Sequence, residues 1–260
     1  MSELLFTNAR VIDPETQTEA PGGLLVRDGV IHARLAPSET ASAHRVIDCA
    51  GACLAPGIVD LGVKIGEPGE RHKESFRTAG EAAAKGGVTT MIMRPDTTPP
   101  IDTPETLEFV LRRAQSETPV KVLPMGTLTK ARDGREMTEI GFLLDAGAVA
   151  FSDGDRVVRN TKVFGRALTY ARSLGALVLG HPQDPDLSAG ASATSGKFAS
   201  LRGLAGASPM AERMGLDRDI AMVEMTGARY HADQITTARA LPALERAKAN
   251  GFDVTAGINI

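Results

Sequence analysis

The sequence has no tryptophan, two tyrosines and two cysteines in 260 residues. Two cysteines, Cys49 and Cys53, cannot build a disulfide framework, which excludes a small cystine-stapled scaffold. Histidine is also scarce: His32, His44, His72, His181 and His231 are the whole inventory, which narrows any nitrogen-ligated metal chemistry. No apolar run approaches the roughly 20 residues needed to cross a bilayer. The opening Met-Ser-Glu-Leu-Leu-Phe has neither a basic leader nor a small-residue cleavage site, so no export signal is expected and a cytoplasmic location is. Charge of one sign is lacking too. Lys and Arg number 29 against 32 Asp and Glu, and a net charge of −3 gives no general pull towards nucleic acid or an anionic membrane.

What is present is an ordinary globular composition, 42% apolar and 23% charged, with 27 glycines and 15 prolines to make turns. The length suits one large domain or two modest ones, at roughly 100–200 residues each. Residues 1–55 read as a small β domain, a sandwich-like unit: Leu4–Phe6, Leu24–Val26, Val30–Ile31 and Val46–Ile47 are short apolar runs with no helical period between them. Asp28-Gly29 between two of these runs is a hairpin signal, because these residues tolerate positive φ. From residue 56 to 260 strand-like runs begin near Gly57, Val88, Val120, Ala148, Ala176, Ala228 and Phe252, most followed by a helical stretch. Asp102-Thr103-Pro104-Glu105 is a helix start, and Gly86, Gly147, Gly175 and Gly251 fall where helices should stop. Strands mostly 24 to 32 residues apart favour an α/β fold of the (β/α)8 TIM-like barrel type over an open doubly wound sheet. The Gly-, Ala- and Ser-rich stretch from Asp184 to Pro209 is too long for an ordinary connection and is expected to be an active-site loop or a mobile segment. Gly257-Ile258-Asn259-Ile260 falls in or just after the seventh strand, so the barrel is expected to be incomplete and the chain a portion of a longer one.

A βα barrel places its chemistry at the C-terminal ends of its strands. The first such end reads Pro56-Gly57-Ile58-Val59-Asp60-Leu61-Gly62-Val63-Lys64-Ile65-Gly66-Glu67-Pro68-Gly69. This resembles the dihydroorotase branch of the amidohydrolase superfamily, whose first strand reads P-G-x-x-D-x-H-x-H-x-R-E-P-G. The resemblance continues through Gly86–Thr90, Arg94–Pro99, Thr127–Lys130, Phe151–Asp153 and His181–Asp184, in order and with matching spacing. It implies an amidohydrolase barrel. In active members it implies one or two zinc ions held by the H-x-H pair, an acid or carboxylated lysine on the fourth strand and one histidine each on the fifth and sixth. The zinc-bound hydroxide then attacks the ring amide.

The implied ligands are largely missing. Gly62 and Lys64 occupy the H-x-H positions, and their spacing of two puts both on one strand face. Gln234 holds the sixth-strand ligand position, and His231, three residues earlier, is expected to face the other way in a regular strand. The substrate-binding Arg and Asn of the family correspond to Gly66 and Asp96, so no substrate contact is expected there. Only Asp153 and His181 survive at metal positions. Two ligands do not hold a catalytic zinc, so no cofactor and no catalytic residue are expected, and a replacement site using His72 or Glu67 is the weaker option. A Lys64–Asp153 ion pair is expected to fill the charge vacancy, the competing possibility being that Lys64 snorkels to water.

Other candidates have plainer explanations. Cys49 and Cys53 with His44 lack a fourth ligand and read as small core residues. Gly86-Gly87 lies between a helix and a strand, the wrong order for a phosphate loop. Arg112-Arg113 beside Glu108 and Glu117 reads as a solvated helix face. Met210, Met214, Met222 and Met225 read as core filling. Ligands are lost while glycines and caps remain, the pattern of a protein kept for its shape. Within the family it is most similar to the non-catalytic dihydroorotase-like chain that some bacteria assemble with aspartate transcarbamoylase. That similarity implies a structural role in a homo- or hetero-oligomer of pyrimidine biosynthesis, without nucleic-acid or membrane partners. The alternative is an active zinc-dependent cyclic amidohydrolase with unusual ligands.

Overall fold

The computed structural model of the chain describes residues 3–258. Met1 and Ser2 of the opening stretch, and Asn259 and Ile260 of the closing one, lie outside the described residues. Contacts divide the chain into two units, Met1–Ile58 and Val59–Ile260, where the sequence suggested a division after residue 55.

In the first unit β1 (Glu3–Asp13) pairs antiparallel with β2 (Thr18–Arg27), and β2 pairs antiparallel with β3 (Val30–Leu35). Asp28 and Gly29 take φ of 47° and 80°, the conformation a tight two-residue hairpin demands. β4 (Arg45–Asp48) and β5 (Cys53–Leu54) both join β1 in parallel. Among the described residues this is a single five-stranded mixed sheet rather than the two packed sheets of a sandwich.

The second unit alternates strands and helices. β6 (Ile58–Val63), β7 (Val88–Met93) and β8 (Lys121–Pro124) form one sheet. β9 (Leu177–Gly180), β12 (Arg229–Ala232) and β13 (Val254–Ala256) form another, with β12 central and parallel to both neighbours. The strand expected near Ala148 is reduced to Phe151, which makes single parallel bridges to Gly126 on one side and Val178 on the other. Pro124 ends the neighbouring strand and has no N–H with which to extend the ladder. The bridges nevertheless link the two sheets into seven consecutive strand positions in chain order, with no eighth among the described residues.

α1 (Phe76–Lys85), α2 (Pro104–Glu117), α3 (Ile140–Asp145), α4 (Thr161–Ser173), α6 (Pro209–Thr226) and α7 (Leu241–Ala249) follow or connect these strands. Thr103 caps α2 just before Pro104, as the start signal suggested, while Asp102 instead accepts from the Ala131 N–H. The long Asp184–Pro209 stretch contains a short parallel ladder of β10 (Ala193–Thr194) and β11 (Gly206–Ala207) around α5 (Lys197–Arg202), so it is more structured than a loop.

Strand alternation sorts the core. Met91, Met93, Phe151, Val178, Tyr230 and Val254 pack in the large cluster shared with the helices. Ile92, Met125, Ala150 and Leu179 form a separate small cluster on the opposite, concave face. Gly62, Lys64 and Arg94 follow the concave parity, which brings them to the rim where the strands end.

Candidate functional site

The centre of the rim is occupied by an ion pair. Arg94, just beyond β7, donates through Nη2 to Asp233 Oδ2, and both residues are over nine-tenths buried. Gly62 faces this pair. A Cβ at position 62 would lie 3.2 Å from Arg94 Nε, 3.5 Å from Nη2 and 3.6 Å from Asp233 Oδ1. Gly62 also adopts a φ of 91°, which side chains with a Cβ rarely take. The guanidinium therefore fills the space into which a first-strand side chain would project.

Lys64 sits beside it. Its Nζ lies 3.2 Å from Asp96 Oδ2 and 3.9 Å from Glu70 Oε2. The expected Lys64–Asp153 pair does not form, for two reasons visible in the geometry. Asp96 is nearer to hand, and Asp153 is already satisfied. Asp153 Oδ1 accepts from the backbone N–H groups of Leu128 at 3.0 Å and Thr129 at 2.9 Å, while Oδ2 accepts from the Thr129 hydroxyl. Burial pushes the Asp153 carboxyl above its usual range, and those three donors pull against it. Arg132 adds a bond from Nε to the Asp153 carbonyl at 2.9 Å and pairs with Asp155.

His181 is half-buried, and its Nε2 lies 3.1 Å from Gln183 Oε1. Gln234 takes a φ of 57°, which breaks the strand alternation after β12 ends at Ala232. The expectation that His231 faces away from the site rested on that alternation and is corrected by the register. His231 pairs with Leu179 of the concave cluster, so its side chain shares that face. Its Nδ1 lies 2.8 Å from Thr255 Oγ1, its Nε2 is buried without a partner, and burial lowers its pKa. At Gly66 a Cβ would come within 2.6 Å of the Glu70 carbonyl and 2.8 Å of the Glu74 carbonyl, so the loop closes on space where a side chain would start. The cavities beside the inner groups are small, about 140 Å³ at His181, Asp233 and Gln234 and about 10 Å³ at Asp153, His181 and Asp219, while a larger one reaches His181 from the side of Arg132 and Asp155. Small-molecule pockets usually exceed about 300 Å³.

A family model described as Dihydro-orotase-like matches residues 51–240. The chain belongs to the dihydroorotase-like family of the amidohydrolase superfamily. Similar curated proteins include a "Dihydroorotase-like protein" of Pseudomonas putida, 40% identical over 96% of this chain and 59% of that protein. A "Dihydroorotase" of Syntrophobacter fumaroxidans is 38% identical over 97% of this chain and 58% of that protein. The chain thus spans under two thirds of these relatives' length. Their identities are too close for degree of similarity to separate the two names. Among solved structures, the L-hydantoinase of Arthrobacter aurescens superposes with a TM-score of 0.83 at 23% identity, covering 100% of this chain and 58% of that one. A D-hydantoinase gives 0.75 at 20%, covering 98% and 57%. At these identities the likeness establishes the fold.

Against that family, the residues present do not fit a zinc site. Gly62 offers no donor, Lys64 offers a cation, and Arg94 holds a second positive charge beside the first ligand position. Among the described residues no three His, Cys, Asp or Glu are grouped to hold a metal ion. Asp233 is paired with Arg94, and both Asp153 oxygens are engaged by the backbone and Thr129. Arg94 is the residue that sequence reasoning missed. Its signal was available: an arginine one residue beyond an apolar strand, two before Asp96, on the parity of the rim.

The remaining candidates resolve simply. Cys49 and Cys53 are not the core residues expected: Cys49 is half-buried, Cys53 is exposed with its Sγ accepting from Arg10, and both are free. Arg113 is more than a solvated residue, since it bonds Glu117 and the buried Glu67, which also accepts the first N–H of α1 from Phe76. Glu67 is therefore committed to the fold, and His72 is exposed. Of the four methionines, Met222 packs on the core, but Met214 and Met225 are largely exposed.

Proposed function

We propose that this protein is a non-catalytic member of the dihydroorotase-like family, serving pyrimidine biosynthesis as a structural partner of aspartate transcarbamoylase. One observation carries the first half. The buried Arg94–Asp233 pair stands against Gly62, so a guanidinium occupies the place from which a zinc ligand would reach the metal. A cation held there repels a divalent ion and also blocks a nucleophilic water from the centre of the rim. The small cavity beside Asp233 and Gln234 and the closed Gly66 loop leave little room for a substrate ring against the Arg94–Asp233 pair.

The partner is supported more indirectly. The strand pattern, the helix caps and the concave core are retained while the chemistry of the rim is gone, which fits a fold used for its surface. The test has two arms. Elemental analysis of the intact protein is expected to find no stoichiometric zinc, and dihydroorotate ring opening is expected to stay at the uncatalysed rate. About one zinc per chain with measurable turnover would overturn the non-catalytic reading. Mixing with the transcarbamoylase of the same organism is expected to give a heavier species by light scattering. Stable interfaces bury roughly 1,200 Å² or more, enough to persist at micromolar concentration. Independent elution with unchanged transferase stability would remove the scaffold role.

A further inference from the structure

Beside the rim, and reaching His181, lies a broader cavity of about 560 Å³. It is walled by the segment after β8, the turn after Phe151 and the start of the connection after β9. Four arginines line it, Arg132, Arg135, Arg156 and Arg159, against two carboxylates, Asp133 and Asp155. In a chain whose net charge is −3 this is a local concentration of positive charge.

The nearby acids do not use it up. Asp155 takes Arg132, and Asp186, outside the lining, takes Arg159 at 3.1 Å. Asp133 Oδ1 accepts from the backbone N–H of Arg135, not from its guanidinium. The Arg135 guanidinium has no side-chain partner among the described residues. The Arg156 guanidinium donates one bond among the described residues, Nη1 to the Arg132 carbonyl at 3.2 Å. Two guanidinium forks are therefore left with donors to offer into one cavity. His181 lines the same space, and the 13-residue α4 begins at its wall, adding the positive end of a helix dipole.

We propose that this cavity binds a small phosphate-bearing anion. The lining holds no Phe, Tyr or Trp, so it offers no broad apolar face for a nucleobase, and recognition falls to the charged end of the ligand. A carboxylate satisfies one guanidinium fork. A phosphate presents three strong acceptor oxygens and close to two negative charges, which matches Arg135 and Arg156 together. This site is independent of whether the rim is catalytic, because its two free arginines take no part in the Arg94–Asp233 and Lys64–Asp96 pairs.

Isothermal titration of the intact protein with inorganic phosphate and with pyrophosphate, in chloride buffer at fixed ionic strength, tests it. Saturable binding at one site per chain is expected, with pyrophosphate the tighter. Arg135→Gln/Arg156→Gln should weaken it by about tenfold or more, as loss of charge-assisted hydrogen bonds predicts. Arg135→Gln alone removes an exposed side chain that holds nothing else, so its intermediate loss of affinity would not come from misfolding. Arg166→Gln, on the exposed face of α4, should change nothing. Absence of saturable binding at millimolar concentration, binding unaltered in the double variant, or equal affinity for succinate would each overturn the proposal.

Discussion

The two sides of the rim differ in how far they keep the residue types of the family's metal positions. On the side of β6 and β7 the family residues are gone, and Gly62, Lys64, Gly66, Arg94 and Asp96 form a tightly filled, ion-paired surface. On the side of Phe151 and β9 two family residues remain, Asp153 and His181, but each is tied into local structure. Asp153 holds the turn at Leu128 and Thr129, and His181 meets Gln183. The difference teaches that a retained ligand residue is weak evidence of retained chemistry. A carboxylate that also anchors backbone N–H groups has a reason to stay after the metal has gone, whereas a histidine reaching only for a metal has none.

The largest effect should come from breaking the new ion pair on the altered side. Arg94→Met leaves the Asp233 carboxylate buried without its cation, and removing one partner of such a pair costs about 3–5 kcal/mol. Arg94→Met/Asp233→Asn removes both charges and should recover much of that loss. Urea unfolding of the single and double variants measures the coupling. If Arg94→Met unfolds at the wild-type midpoint, the pair is not what fills the rim.

Next comes the retained side. Asp153→Ala strips the acceptor from two buried N–H groups and a hydroxyl, and should cost about 2–4 kcal/mol. The same urea measurement decides it, and a loss under about 0.5 kcal/mol, the usual surface value, would mean that Asp153 has no structural reason to persist. This anchoring was not legible in the sequence, where Asp153 carried only its family position and its backbone partners lay 24 and 25 residues away. What was legible was local or periodic. Strand starts near Val88 and Val120, the Thr103-Pro104 helix start and the Asp28-Gly29 hairpin all depend on neighbours in the chain. The absence of ligands at Gly62, Lys64 and Gln234 was legible too, since a missing donor needs no fold to be seen. The replacement at Gly62 was not, because Arg94 and Asp233 are 139 residues apart and only the curved sheet brings them together. His231 was misassigned because alternation was carried past the end of β12.

A smaller, pH-dependent effect should come from His231. Burial holds its pKa below the usual imidazole value of about 6.5, so the unfolded chain takes up the proton first as pH falls. Its contribution is fully present above about pH 6.5 and is lost as pH drops from there through the folded-state pKa. Asp153 has the opposite sign. Its carboxyl holds a proton more tightly when folded, so its contribution declines as pH rises from the usual carboxylate range through its raised value. His231→Gln should therefore flatten the fall in unfolding midpoint just below neutrality and leave the lower carboxylate region unchanged. An unaltered profile would show that His231 is protonated as readily in the fold as in water.

The smallest effect should belong to Lys64, even though it stands where the family resemblance places a ligand. Its side chain is 53% exposed, while that of Asp96 is 3% exposed. The lysine end of the pair is thus bathed in solvent that screens it, and the stem must give up rotamer freedom to keep the 3.2 Å contact. Asp96 Oδ1 has no partner, so the carboxylate is only partly answered even with Lys64 in place. Lys64→Met should cost about 1 kcal/mol or less, near the upper end for exposed pairs because one partner is buried. Added salt should shrink the difference from wild type, since the charge it removes is accessible to counterions. The result separates two ways of balancing the carboxylates of the rim. A small, salt-sensitive loss marks Lys64 as a surface cation lying over a rim already sealed by Arg94. A loss as large as that of Arg94→Met, unaffected by salt, would mean that both cations are needed to hold the carboxylates together.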